Sequence, residues 1–213
     1  MKTKYHIEIT RKVLSSHFST KALDTIIRAN IRQDRLAYML GHDYIHFDGS
    51  AFEEGFSYLE DQKTILTETI NREHYTDARK ALGRMAHSWQ DFYSHSNYVK
   101  IWRSLHPGSS SEDILPNELE IMEHPELLSG KNYGLIEFLA MIPGLSKIVL
   151  PKMPPDSHAI MNLDGPETGP LFEYAYQVAI KQTQVGYQRV LKELSQKKIN
   201  AVKVSRFHDL ITH

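Results

Sequence analysis

The residues best placed to do chemistry stand in one stretch, ALGRMAHSWQDFYSHSNYV, from Ala81 to Val99. His87, Asp91 and His95 recur at every fourth position in it. Each four-residue step of an α-helix advances only ~40° around the axis and rises ~6 Å, so the three side chains share one stripe. Two imidazoles and a carboxylate converging from one side form a donor set for a divalent ion, and zinc suits nitrogen and oxygen donors. Met85, Trp89, Phe92 and Tyr93, interleaved with them, can pack the same helix into a core. A polar stripe inside an apolar helix is costly unless something compensates its lost hydration. A bound metal would do so. An ordinary hydrogen-bonded network of the same residues is the alternative.

Further donors lie elsewhere: His6 near the start, Asp34 in NIRQDRL, His46 in YIHFDG, and His158 in SHAIMNLDGP, followed by Asn162 and Asp164. The chain has twelve histidines and no cysteine, so thiolate sites and disulfides are excluded. Histidines 17, 42, 74, 106, 124, 208 and 213 have no patterned surroundings and read as surface or capping residues. Using all the patterned donors takes two or three metal ions. Clusters of that kind suit phosphoryl chemistry, in which one ion activates water and others stabilise developing charge. An anionic phosphodiester fits such a cationic centre.

The elements that would position these donors read as helices. Apolar residues recur with helical spacing from Ile7 to Phe18, and Ser19 or Thr20 offers a cap for a second helix through Leu23, Ile26 and Ile27. GHDYIHFDG, Gly41 to Gly49, is dense in turn formers and reads as a loop. Helical periodicity resumes over Phe52–Asn71 and Tyr75–Ser104. A surface loop follows at His106–Asn117, then short helices over Glu118–Leu128 and Leu135–Met141, a Pro-rich connection at Pro151–His158, and a long helix over Pro170–Lys197. Almost nothing alternates with the period of a strand. One all-α domain covering residues 1–213 is expected.

Bulk properties fit that reading. A chain of 213 residues, 41% apolar and 24% charged, can fill one core. A net charge of -1 argues against a nucleic-acid partner, which calls for a basic excess. No apolar run reaches the ~20 residues that span a bilayer. The start, MKTKYHIEITRKVL, lacks the apolar segment of a signal peptide, which points to the cytoplasm if Met1 is the native start and to secretion if a signal has been removed. LIEFLAMIPGLSKIVL, Leu135 to Leu150, reads either as a lipid-contacting lip or as a buried helix broken at Pro143-Gly144. Tyr44, Phe47, Tyr93 and Tyr98 line a cleft or belong to the core.

Three segments carry a family resemblance. YHIEITRKVL resembles the opening of the zinc-dependent phospholipase C superfamily, HSWQDFYSHSNYV is similar to the HTxQDFYSHSNW signature of its Het-C-like branch, and SHAIMNLD resembles that branch's later SHxxLNKD element. They come in the family's order and span residues 6 to 164. The resemblance implies a helical bundle of the phospholipase C and nuclease type holding up to three zinc ions. It implies that His6 and the terminal amine serve one zinc and that Asp91 bridges it to a second, completed by Asp34, His46 and His87. His95 and His158, with a carboxylate such as Asp164, would hold the third. A metal-bound hydroxide would attack the phosphorus, with Asp34 assisting as base. Three departures stand out: the secreted enzymes use a mature N-terminal tryptophan as ligand whereas this chain begins at Met1, five residues before His6; Asn162 stands where their last carboxylate falls, with Asp164 two residues later; and the spacing between Asp91 and His95 is shorter than theirs.

The leading expectation is thus a zinc phosphodiesterase of the phospholipase C type, acting on a phosphate ester such as a phospholipid at a membrane surface. Two other readings compete. One is a non-catalytic helical protein with a structural or vestigial metal site, to which Asn162 points. The other is an HD-type phosphohydrolase built on His42-Asp43 and His208-Asp209, which leaves the His87–Asp91–His95 helix unexplained.

Overall fold

The structure, a computed structural model, describes residues 1–35, 41–134, 136–137, 139 and 144–210. Helix α1 (Thr3–Leu14) starts earlier than the periodicity suggests and so carries Tyr5 and His6 on its buried face. Helix α2 (Thr20–Ile31) is capped by Ser19, whose hydroxyl accepts from the Ala22 amide at 3.2 Å. The expected loop at 41–49 holds one helical turn, α3 (Asp43–His46), which ends at Phe47 in the left-handed conformation. Helix α4 (Phe52–Asn71) then runs against α5 (Tyr75–His95).

The single helix expected from Tyr75 to Ser104 is broken. Ser96 is extended, and α6 (Tyr98–Leu105) starts afresh. Helix ends leave carbonyls without intrahelical partners. Here the 126–130 loop takes them up: the Gly130 amide donates to the His95 carbonyl at 2.9 Å, and the Asn97 and Leu128 amides each bond back to the other residue. The break thus turns the chain away at the last of the three patterned donors.

Downstream, α7 (Leu119–Met122) is much shorter than the helix expected over 118–128. The helix expected over 135–141 lies largely outside the described residues. Two short turns, α8 (Ser146–Val149) and α9 (His158–Met161), precede the long α10 (Leu171–Gln196) and the final α11 (Ala201–His208). Among the described residues there are two isolated bridges and no strand. The protein is all-α.

Helix α5 is the axis of the bundle and is flanked by α2, α4 and α10. Its small residues set the spacing. A Cβ on Gly83 would lie 2.2 Å from the Ile26 carbonyl oxygen, so only glycine lets α2 approach this closely. Leu82, Met85, Trp89, Phe92 and Tyr93 of α5 join Ile26, Leu66, Ile70 and Val190 in one core. Phe47, Tyr93 and Tyr98 are buried in that core. Among the described residues no helix is long and apolar enough to cross a membrane.

Candidate metal centre

Asp91 lies at the middle of the centre. Its side chain is 1% exposed, held among α1, α3 and α5. Oδ2 sits 2.9 Å from His46 Nδ1 and 2.9 Å from His87 Nε2. Oδ1 is 3.2 Å from His6 Nε2, 3.7 Å from His95 Nε2, and accepts from the Met1 amine at 2.7 Å. Asp34, on the tight turn after α2, approaches His87 Nε2 at 3.6 Å and is steadied by the Thr3 hydroxyl. His6, Asp34, His87 and Asp91 each bring one donor atom within 4.8 Å of the others.

A second group lies one turn further along α5. His95 Nδ1 and His158 Nδ1 face the same oxygen, Asp48 Oδ1, at 3.1 and 2.9 Å. These three donors also lie within 4.8 Å of one another. Asp164 meets the Met1 amine at 2.9 Å and His95 Nε2 at 3.4 Å, between the two groups. All eight residues singled out in the sequence therefore converge, and the Met1 amine joins them.

Asp48 escaped the sequence reading although it stands two residues after His46. The turn that follows α3, with Phe47 at φ 58°, brings both side chains inward. Gly130 matters to this second group as well, since a Cβ there would lie 2.6 Å from His158 Cα.

Electrostatics mark the centre as strongly coupled. Burial disfavours charge on Asp91, but the Met1 amine, His87 and His95 hold its carboxyl well below the usual range. Burial lowers His87 to about 4, against the pull of Asp91 and with help from the adjacent His6 ring. Burial and the Met1 amine oppose charge on His95, yet Asp91, Asp48 and a bond to Asp164 raise it to about 10. The donor set fits a divalent ion, because His6 Nε2, His46 Nε2, His95 Nδ1 and Asp164 Oδ1 are buried with no hydrogen-bond partner among the described residues. Buried nitrogen and oxygen atoms are rarely left so.

Of the residues of the HD-type reading, His208 and Asp209 tie α11 to its neighbours. His208 Nε2 pairs with the Tyr187 hydroxyl at 2.8 Å, and Asp209 accepts from Ser19 at 2.7 Å. His42 precedes the first turn of α3, and neither pair belongs to a donor group.

Fold and site together define an all-helical domain with a buried imidazole–carboxylate centre. The sequence model of the VWA7 N-terminal domain matches residues 3–110, about half of the chain, and the chain belongs to that family. It is 35% identical over 105 residues to von Willebrand factor A domain-containing protein 7 of Rattus norvegicus, a match covering 47% of this chain and 12% of the rat protein. The Mus musculus protein is 36% identical over 94 residues, 44% of this chain and 10% of its own. For the Homo sapiens protein the figures are 34% over 87 residues, 41% and 10%. The chain therefore spans about a tenth of the length of these relatives. No solved structure matches it.

These matches overturn the phospholipase C assignment. The family is that of the VWA7 N-terminal domain, and neither its description nor the relatives' names denote a hydrolase. The expected phosphodiesterase activity falls with the resemblance. The physical reason is specific. Helical spacing of two histidines and an aspartate is a solution to presenting donors, and the same stripe serves a closed structural site as well as an open reactive one.

Proposed function

We propose that this domain is a non-catalytic helical module whose fold is tied together by buried divalent ions, zinc being the natural occupant. The carrying observation is the enclosure of the first donor group. Structural zinc sites are four-coordinate and closed, whereas catalytic ones keep a position open to water. His6, Asp34, His87 and Asp91 supply four protein donors, and the side chains of all but Asp34 are at most 1% exposed. A second ion fits Asp48, His95 and His158. These donors come from α1, the turn after α2, the turn after α3, α5 and α9, so the ions would join segments distant in sequence. In the relatives such a module would serve a much longer protein.

Elemental analysis of protein purified without added metal tests this reading. About two equivalents of zinc are expected, retained through dialysis and removed by chelator with loss of thermal stability. Protein that carries no metal and takes up none on titration would sink it.

A further inference from the structure

Behind the first donor group lies a layer of uncharged polar side chains: Thr10, Asn30, Gln90 and Thr183, all buried. From it we infer that Gln90 and Asn30 are positioning residues that lock His6 and His87 as Nδ1–H tautomers, aiming both Nε2 atoms at Asp91 and restricting the site to nitrogen-seeking ions such as zinc. The inference rests on the metal reading above for its ligand, though not for its geometry.

The orientation follows from one fixed hydrogen atom. The Thr183 hydroxyl donates to the Ala179 carbonyl at 2.7 Å within α10. Its oxygen can then only accept from Gln90, so the atom facing it at 3.3 Å is the Gln90 amide nitrogen. That nitrogen also donates to Thr10 at 3.2 Å. Gln90 Oε1 must therefore point the other way, where it accepts from His6 Nδ1 at 2.6 Å and from Asn30 Nδ2 at 3.1 Å. Since Asn30 presents its nitrogen to Gln90 and to Thr10, its oxygen faces His87 Nδ1 at 3.2 Å. A carbonyl oxygen only accepts, so Nδ1 of both imidazoles carries hydrogen.

The hydrogen-free nitrogen on each ring is then Nε2, 3.2 Å from Asp91 for His6 and 2.9 Å for His87, and His87 Nε2 also meets His46 Nδ1 at 3.1 Å. Among the described residues His6 Nε2 has no hydrogen-bond partner, although Asp91 Oδ1 lies 3.2 Å away. The two rings stack with centroids 4.4 Å apart, which disfavours a positive charge on both. One cation lying between the two lone pairs and the carboxylates answers all of these observations. Magnesium and calcium seek oxygen donors, whereas zinc and its neighbours bind imidazole well. Partners behind a ligating histidine typically account for 10–100-fold in metal affinity.

The test combines long-range nitrogen-15 NMR of the imidazoles with metal titration of the full chain. Zinc-loaded protein should show His6 and His87 as Nδ1–H tautomers bound through Nε2, with excess calcium failing to displace the zinc. Gln90→Leu should weaken zinc roughly 10–100-fold. Thr183→Val, which keeps the side-chain volume and removes only the anchor, should weaken it in the same direction even if Gln90→Leu does not fold. An Nε2–H tautomer on either ring in zinc-loaded protein, or wild-type affinity in both variants, overturns the inference. If wild type takes up no metal yet its rings are Nδ1–H, the metal reading fails and the tautomer lock stands.

Discussion

Replacing Asp91 by asparagine keeps the shape of the side chain and removes one charge from the interior. The carboxylate is buried and accepts from the Met1 amine at 2.7 Å, with His46 and His87 nitrogens each 2.9 Å away. Asparagine would turn an amide NH2 or an uncharged oxygen toward groups that now meet two anionic oxygens. Breaking a buried ion pair from one side costs about 3–5 kcal/mol, because the partner charge stays buried without compensation. For a chain of this length 1 kcal/mol corresponds to roughly 2–4 °C in melting temperature, so metal-free Asp91→Asn should melt roughly 6–20 °C below metal-free wild type. Zinc at a thousandfold excess over its dissociation constant adds about 4 kcal/mol to wild type, another roughly 8–16 °C. The variant should gain little of this. Scanning calorimetry at neutral pH, in chelator and in zinc, measures both differences. A variant within roughly 2 °C of wild type in chelator refutes the electrostatic argument. An undiminished zinc shift removes Asp91 from the ligands.

Other outcomes follow from the same geometry. Asp48→Ala should lower zinc content by about one equivalent while the first group keeps its ion, because Asp48 is the common partner of His95 and His158 only; elemental analysis showing no loss removes the second site. His87→Ala should instead empty the first. Gly83→Val places a Cβ 2.2 Å from the Ile26 carbonyl, and overpacking of this kind costs about 1–3 kcal/mol or more, readable by urea unfolding. Burial, with the charges of His17 and Arg79, lowers His208 to about 4. A histidine with a lowered folded pKa stabilises fully above its unfolded value near 6.5 and loses that contribution as pH falls toward 4. Metal-free wild type should therefore melt progressively lower between those two pH values. His208→Phe should flatten part of that slope, and an identical slope in the variant removes His208 as its cause.

Much of the fold was legible because helical periodicity survives where one face is buried. Phe52–Asn71 is helical over the expected range, and α10 differs from its expected bounds by one residue at each end. The break at Ser96 was not legible. Its cause is tertiary: the 126–130 loop arrives from some thirty residues downstream to take the His95 carbonyl and both polar ends of the Asn97 side chain. The overestimated 118–128 helix contains His124-Pro125, where proline disfavours helix in the preceding residue, and the chain stops helical pairing at Met122.

The site divides along the same line. Donors on α5 are fixed by helical geometry, so His87, Asp91 and His95 could be placed on one stripe from sequence alone. Asp48 could not, since its direction depends on Phe47 adopting φ 58°, an uncommon conformation for a bulky residue. Gln90 was hidden for another reason: it lies next to Asp91, a neighbour that a helix turns ~100° away, and its partners come from α1, α2 and α10, which close over it. The reaction was the least legible feature of all. Spacing determines which donors can share an ion, whereas catalysis depends on whether a coordination position stays open to solvent and substrate, and that is settled by the elements packed around the stripe. Here α1 lays His6 over His87 with rings 4.4 Å apart, so the first donor group is covered by the protein's own helix, while Asp48, His158 and Asp164 beside it keep side-chain exposures of 12%, 19% and 24%. On the structural reading proposed above, the covered group is the one that would hold segments together.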